Sequence, residues 1–144
     1  MLKIHLYSSP AHFPLAFARH FWFVIDEWKK KNRYEVLFYP NKDKKLGYIH
    51  VDEFTHNVWL GIFPFIKYAW KWTLKETFTG KTAKTLKKVI EDSIRGYQMA
   101  HNYKLTWPNS NTYVQWILNE SNVNYILPRN AFGKNYETVC EPTE

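Results

Sequence analysis

The sequence predicts an α+β domain, with strands in the first half of its 144 residues and helices in the second. Three observations carry this. Leu2, Ile4 and Leu6 alternate with Lys3, His5 and Tyr7 at the period of a strand. Residues 18–25 (ARHFWFVI) are aromatic and β-branched on both faces, as in a strand buried at the centre of a sheet. Leu86, Val89, Ile90, Ile94 and Tyr97 recur at helical spacing. An antiparallel sheet of about four strands packed on helices follows, in a single domain over residues 1–144.

The elements follow in order. Ser8-Ser9-Pro10 breaks the first strand, and Pro14 prevents an early restart. After the strand at 18–25, residues 26–32 read as a polar loop. Residues 34–39 (YEVLFY) read as the return strand, ended by Pro40-Asn41. A lysine-rich turn up to Gly47 leads to a short strand at 48–51. Phe63, Ile66, Trp70 and Leu74 predict a first helix, with Lys67, Lys71 and Lys75 as a basic stripe on it. Thr79-Gly80 ends that helix and Thr82 caps the next, which weakens at Gly96. A third helix starts after Pro108, with Val114, Ile117 and Leu118 inward. From Ser121 the chain turns irregular, and residues 141–144 form a frayed tail.

Composition narrows the function. At 45% hydrophobic and 19% aromatic residues the chain can bury a core, which excludes general disorder. No apolar run reaches transmembrane length, and the start lacks the apolar region of a secretory signal. A single cysteine, Cys140, cannot form an internal disulfide, which fits a reducing, cytoplasmic setting. The net charge of +7 comes from 20 Lys+Arg against 13 Asp+Glu. Only Arg19, Arg33, Arg95 and Arg129 are arginines, and no nucleic-acid motif accompanies the lysines. No specific nucleic-acid partner is expected. The stripe Lys67, Lys71 and Lys75, beside Phe65, Tyr68, Trp70 and Trp72, could instead rest on an anionic membrane surface.

No metal site and no cofactor are predicted. The histidines at 5, 12, 20, 50, 56 and 101 form no HExxH, there is no CxxC, and the five glycines are isolated, so no phosphate-cradling loop can be built. The informative stretch is Trp107-Pro108-Asn109-Ser110-Asn111-Thr112-Tyr113-Val114, which places Asn, Ser, Asn and Thr where a helix begins. Capping by Asn109 or Ser110 explains it structurally. The same geometry would set a nucleophile beside free N–H groups at the positive end of a helix, where an oxyanion could be received.

The segment from Pro108 to Val114 resembles the GPNSNTF-type motif of domain-of-unknown-function family 3750. Leu127-Pro128-Arg129-Asn130-Ala131-Phe132-Gly133-Lys134-Asn135-Tyr136 resembles that family's downstream LPxxAIGKDY segment, Tyr97 and Tyr103 its lead-in, and His20-Phe21-Trp22 its early His-x-Trp strand. The resemblance spans roughly residues 15–136 and carries no established activity. Trp107 stands where the family has Gly, and Asn135 where it has Asp.

A more distant similarity is to circularly permuted papain-like folds of the NlpC/P60 and lecithin-retinol-acyltransferase type. There a His opens a central strand, a polar residue on the partner strand orients it, and a Cys follows at a helix N-terminus. This resemblance implies His20 as the base and Ser110 at the nucleophile position, with Asn109, Asn111, Thr112 and Trp22 as substrate-binding residues. If the hairpin loop is centred near Lys29–Lys30, His20 faces Tyr39, and Glu35 is roughly 13 Å away along the strand. Tyr39 is then the expected orienter. A serine hydroxyl, unlike a thiol, needs base catalysis, so Ser110 could act only with His20 within about 3 Å. Two functions follow. The favoured one is a non-catalytic domain that keeps the pocket and binds a small molecule or peptide. The alternative is a Ser/His acyl hydrolase or transferase acting on a peptide, amide or lipid ester.

Overall fold

In the computed structural model the described residues are 1–11, 18–53 and 72–135. They form five strands, β1 (Leu2–Pro10), β2 (Arg19–Glu27), β3 (Lys30–Val36), β4 (Ile49–Val51) and β5 (Thr73–Phe78), and two helices, α1 (Gly80–Gly96) and α2 (Ser110–Glu120). The sheet runs β4-β3-β2-β1-β5 with every neighbouring pair antiparallel. The α+β class and the central, doubly buried position of β2 match the sequence pattern.

Alternation along each strand sorts its side chains between two faces. Ile4, Leu6, Phe21, Phe23, Ile25, Tyr34, Val36 and Ile49 share one core with the helices. From α1 that core receives Ala83, Leu86 and Ile90, and from α2 Tyr113, Val114, Ile117 and Leu118. Tyr7, Trp22 and Val24 make a second buried cluster on the opposite face. The Tyr113 hydroxyl, deep between the helices, meets Ser93 Oγ at 2.8 Å.

Four local expectations change. Ser8-Ser9-Pro10 does not interrupt β1, because Pro10 is its last residue and closes the pairing with Arg19. Residues 26–32 are no loop: Glu27 pairs with Lys30 across a two-residue turn at Trp28-Lys29. Residues 73–78 are a fifth strand on the edge beside β1, with a bulge at Leu6/Tyr7, so Leu74 and Lys75 do not continue a helix. Only Leu74 of that helical set lies in the strand, and pairing with β1 decides its place. Thr79, not Thr82, occupies the N-cap of α1, and its side chain makes no capping bond. The remainder of the predicted first helix, with Lys67 and Lys71, lies outside the described residues, as do Cys140 and the terminal tail. No helix among the described residues is long and apolar enough to cross a membrane.

Candidate functional site

The first residue of β2 is stitched to the start of α2. Arg19 N–H donates to Asn130 O at 2.9 Å, and Arg19 O accepts from Asn111 Nδ2 at 2.8 Å. Asn111 Nδ2 also donates to Phe132 O at 3.0 Å. The two motifs of the second half therefore clasp each other around one strand end.

A capping box starts α2. Asn109 Oδ1 accepts from Asn111 N–H at 3.0 Å and from Thr112 N–H at 3.4 Å, while Asn109 N–H donates to Thr112 Oγ1 at 2.9 Å. Thr112 Oγ1 donates in turn to Gly133 O at 2.5 Å. Capping thus falls to Asn109 and Thr112, and Ser110 is the first helical residue. Among the described residues, nothing hydrogen-bonds to the Ser110 hydroxyl.

Where these elements meet there is a cleft of about 50 Å³, lined by polar Arg19, His20, Asn109, Ser110 and Asn111. Its apolar walls include Ala18, Val36, Leu37, Phe38, Leu105 and Phe132. Such a volume admits a group of a few non-hydrogen atoms. His20 and Ser110 both line it. No hydrogen bond joins them, because His20 belongs to the Trp22 face of the sheet and stacks on Trp22 at 5.6 Å, whereas α2 packs on the Phe21 and Phe23 face.

The residue beside His20 is Glu35, not Tyr39. His20 Nε2 lies 3.8 Å from Glu35 Oε1, and the two side chains are 4% and 1% exposed. The hairpin turn is the cause. Centring it on Trp28-Lys29 gives the register Phe23↔Tyr34, which carried onward sets His20 beside Leu37 with Glu35 two residues away on the same face. Tyr39 is engaged elsewhere: its hydroxyl donates to Glu53 Oε1 at 3.2 Å and its carbonyl accepts from His50 Nε2 at 2.9 Å. Burial, with Glu53 beside it, pushes the Tyr39 phenol up to about 12. Trp22 is fully buried between Tyr7 and His20 and does not line the cleft; Thr112 is likewise fully buried and bonded to Gly133.

Electrostatics fix the protonation states. Arg33, 1% exposed, bonds through Nε to Glu35 Oε2, with its guanidinium 4.1 Å from the Trp22 ring centre. Burial alone would raise the Glu35 carboxyl, but the Arg33 charge and His20 outweigh it and hold Glu35 below the usual carboxylate range. Burial lowers the His20 imidazole, and Glu35 opposes this only in part. The ring is therefore neutral at pH 7. Nε2, 3.8 Å from Glu35 Oε1, is buried without a hydrogen-bond partner among the described residues.

Arg33, Glu35 and Gly133 were missed as site residues by sequence reasoning. Glu35 was set aside only through the assumed turn. Among the described residues, no three His, Cys, Asp or Glu side chains group so as to hold a metal ion.

Among the described residues, a five-stranded antiparallel sheet and two helices make an α+β fold with a small, largely apolar site between a strand end and a helix start. A family model described as "Protein of unknown function (DUF3750)" matches residues 2–136, and the chain belongs to that family. No curated protein and no solved structure matches it.

Proposed function

We propose that this chain is a ligand-binding domain on a permuted papain-like scaffold, with a Ser at the nucleophile position and a cleft that takes the small end group of a peptide or other small molecule. The observation that carries this is the composition of the cleft. Its walls are apolar, its floor offers the neutral His20 ring and the Ser110 hydroxyl, and Ser110 and His20 are not bonded to each other. A ligand with an apolar body and a polar head satisfies both regions.

The test is a thermal-shift screen with N-acetylated amino-acid amides and short-chain acyl amides. Binding should raise Tm for the parent chain and not for Leu105→Asp. Leu105 is 49% exposed on the cleft wall, so the charge is tolerated in the free protein. Equal shifts in both proteins would remove the cleft from consideration.

A second reading, a Ser/His acyl hydrolase or transferase, is favoured by the pairing of His20 with a buried carboxylate. The Asn109 side chain accepts from the Asn111 and Thr112 N–H groups, so the Ser110 N–H is the donor left for an oxyanion. Turnover of a p-nitrophenyl ester that disappears in both Ser110→Ala and His20→Ala, with the double variant little worse, would establish it. Turnover that survives Ser110→Ala would exclude it.

A further inference from the structure

We propose that the β2–β3 hairpin tip is a docking point for an anionic lipid surface. Trp28 occupies the first position of the two-residue turn with φ 58, a backbone region that glycine enters freely and a bulky side chain does not. It is 86% exposed. Its side chain makes no hydrogen bond or ring contact with another described residue. A strained backbone that holds an aromatic ring in water brings no folding benefit, and such strain collects at functional positions.

Charge at this end of the sheet points the same way. Lys29 and Lys30 follow Trp28, are exposed, and form no ion pair with a described residue. The nearby anions are neutralised: Asp26 by Lys31, and Glu27 by Lys87 at 2.5 Å. β5 ends at Phe78 opposite Ile4, so α1 begins at this same end, adding the exposed Lys81 and Lys84 and a first turn without an acidic residue. Within the hairpin, the residues flanking the ring are charged. The tip therefore presents an exposed indole with lysines beside it and exposed Met1 nearby, not the broad apolar face that a stable protein partner covers. An indole seats at headgroup depth while lysines around it meet anionic headgroups.

The experiment is sedimentation of the full chain with phosphatidylcholine vesicles, with and without phosphatidylserine. Binding should require phosphatidylserine and weaken with salt. The Lys29→Glu/Lys30→Glu variant should bind at least about tenfold more weakly. Trp28→Gly should also lose binding while its Tm rises, which separates docking from folding. The proposal is overturned if the parent chain stays in the supernatant, or if Trp28→Gly binds as the parent does. Loss of binding only in Lys67→Glu/Lys71→Glu/Lys75→Glu would overturn it too. So would capture of polyglutamate without any vesicle binding, which would assign the tip to an acidic protein. These outcomes are independent of the cleft, since Trp28 is not among its lining residues.

Discussion

Glu35 Oε1 stands 3.8 Å from His20 Nε2, and the other Glu35 oxygen is bonded to Arg33. One carboxylate thus balances a buried guanidinium and biases a buried imidazole. Glu35→Gln should break the buried ion pair with Arg33 Nε, at a cost of about 3–5 kcal/mol. Replacing Arg33 as well, as Arg33→Met/Glu35→Gln, should restore much of that loss. Urea denaturation of the two variants checks the pair. Equal losses in both would mean that the ion pair is not the origin of the effect.

The same contact sets the titration of His20. Glu35 opposes the lowering by burial, so its removal should move the imidazole further down. Ring nitrogen shifts followed by NMR against pH in Glu35→Gln report this directly, provided the variant is studied where it is folded. An unchanged midpoint would show that the carboxylate does not couple to the ring.

Stability should depend on pH through His20 in a definite direction. Its folded pKa lies below the ordinary value of 6.5. Between the two values the unfolded chain binds the additional proton, so stability falls as pH drops below about 6.5 and is fully present above it. The slope from one group reaches at most about 1.4 kcal/mol per pH unit. His20→Gln should flatten this part of the curve. Glu35 and Asp26, both held low, act in a separate window, losing their contribution as pH falls below ordinary carboxylate values. Urea midpoints between pH 7.5 and about 5 isolate the histidine. A curve that is the same in His20→Gln would refute the assignment.

Legibility in the sequence divides along physical lines. β2 was readable because a strand buried on both faces has no polar alternation, and residues 20–25 have none. The start of α2 was readable because an Asn at a helix start has one strong local use, as the cap; the part that buried Thr112 plays in the capping box was not. The hairpin was not. No Gly, Pro or Asn lies between Asp26 and Lys31, and a turn built on Trp at positive φ has no compositional mark. That one-residue error in the turn centre moved the partner of His20 by two residues and exchanged Glu35 for Tyr39. β5 was hidden for another reason: an exposed edge strand of six residues buries too little to show a period.

The cap makes a prediction that separates neighbouring residues. Asn109→Ala should cost about 1–2 kcal/mol, since its side chain serves two N–H groups of the first turn. Ser110→Ala should cost less than about 0.5 kcal/mol, because Ser110 caps nothing. Chemical denaturation of the two variants decides it. A large loss in Ser110→Ala would return Ser110 to a structural role and weaken both functional readings of the cleft.

Gly133 tests whether the two motifs act as one unit. It has φ +86, and a Cβ placed on it would lie 2.5 Å from Asn109 Nδ2 and 2.6 Å from Asn109 Oδ1. Its carbonyl is the acceptor for Thr112 Oγ1. Gly133→Ala therefore adds the cost of a left-handed backbone, about 1–2 kcal/mol, to the displacement of the Asn109 cap. The cap can move only by giving up bonds to Asn111 and Thr112 N–H, so the total should exceed that of Asn109→Ala alone. The two losses should not add. In Gly133→Ala/Asn109→Ala the clash partner is gone, and the double variant should be more stable than the sum of the singles predicts by more than about 0.5 kcal/mol. Asn111 links this segment to the start of β2, so Gly133→Ala should also weaken ligand-induced stabilisation at the cleft although Gly133 does not line it. Additive losses in the double-mutant cycle would show that Gly133 and Asn109 act independently, and that the clasp between the two motifs does not hold the site.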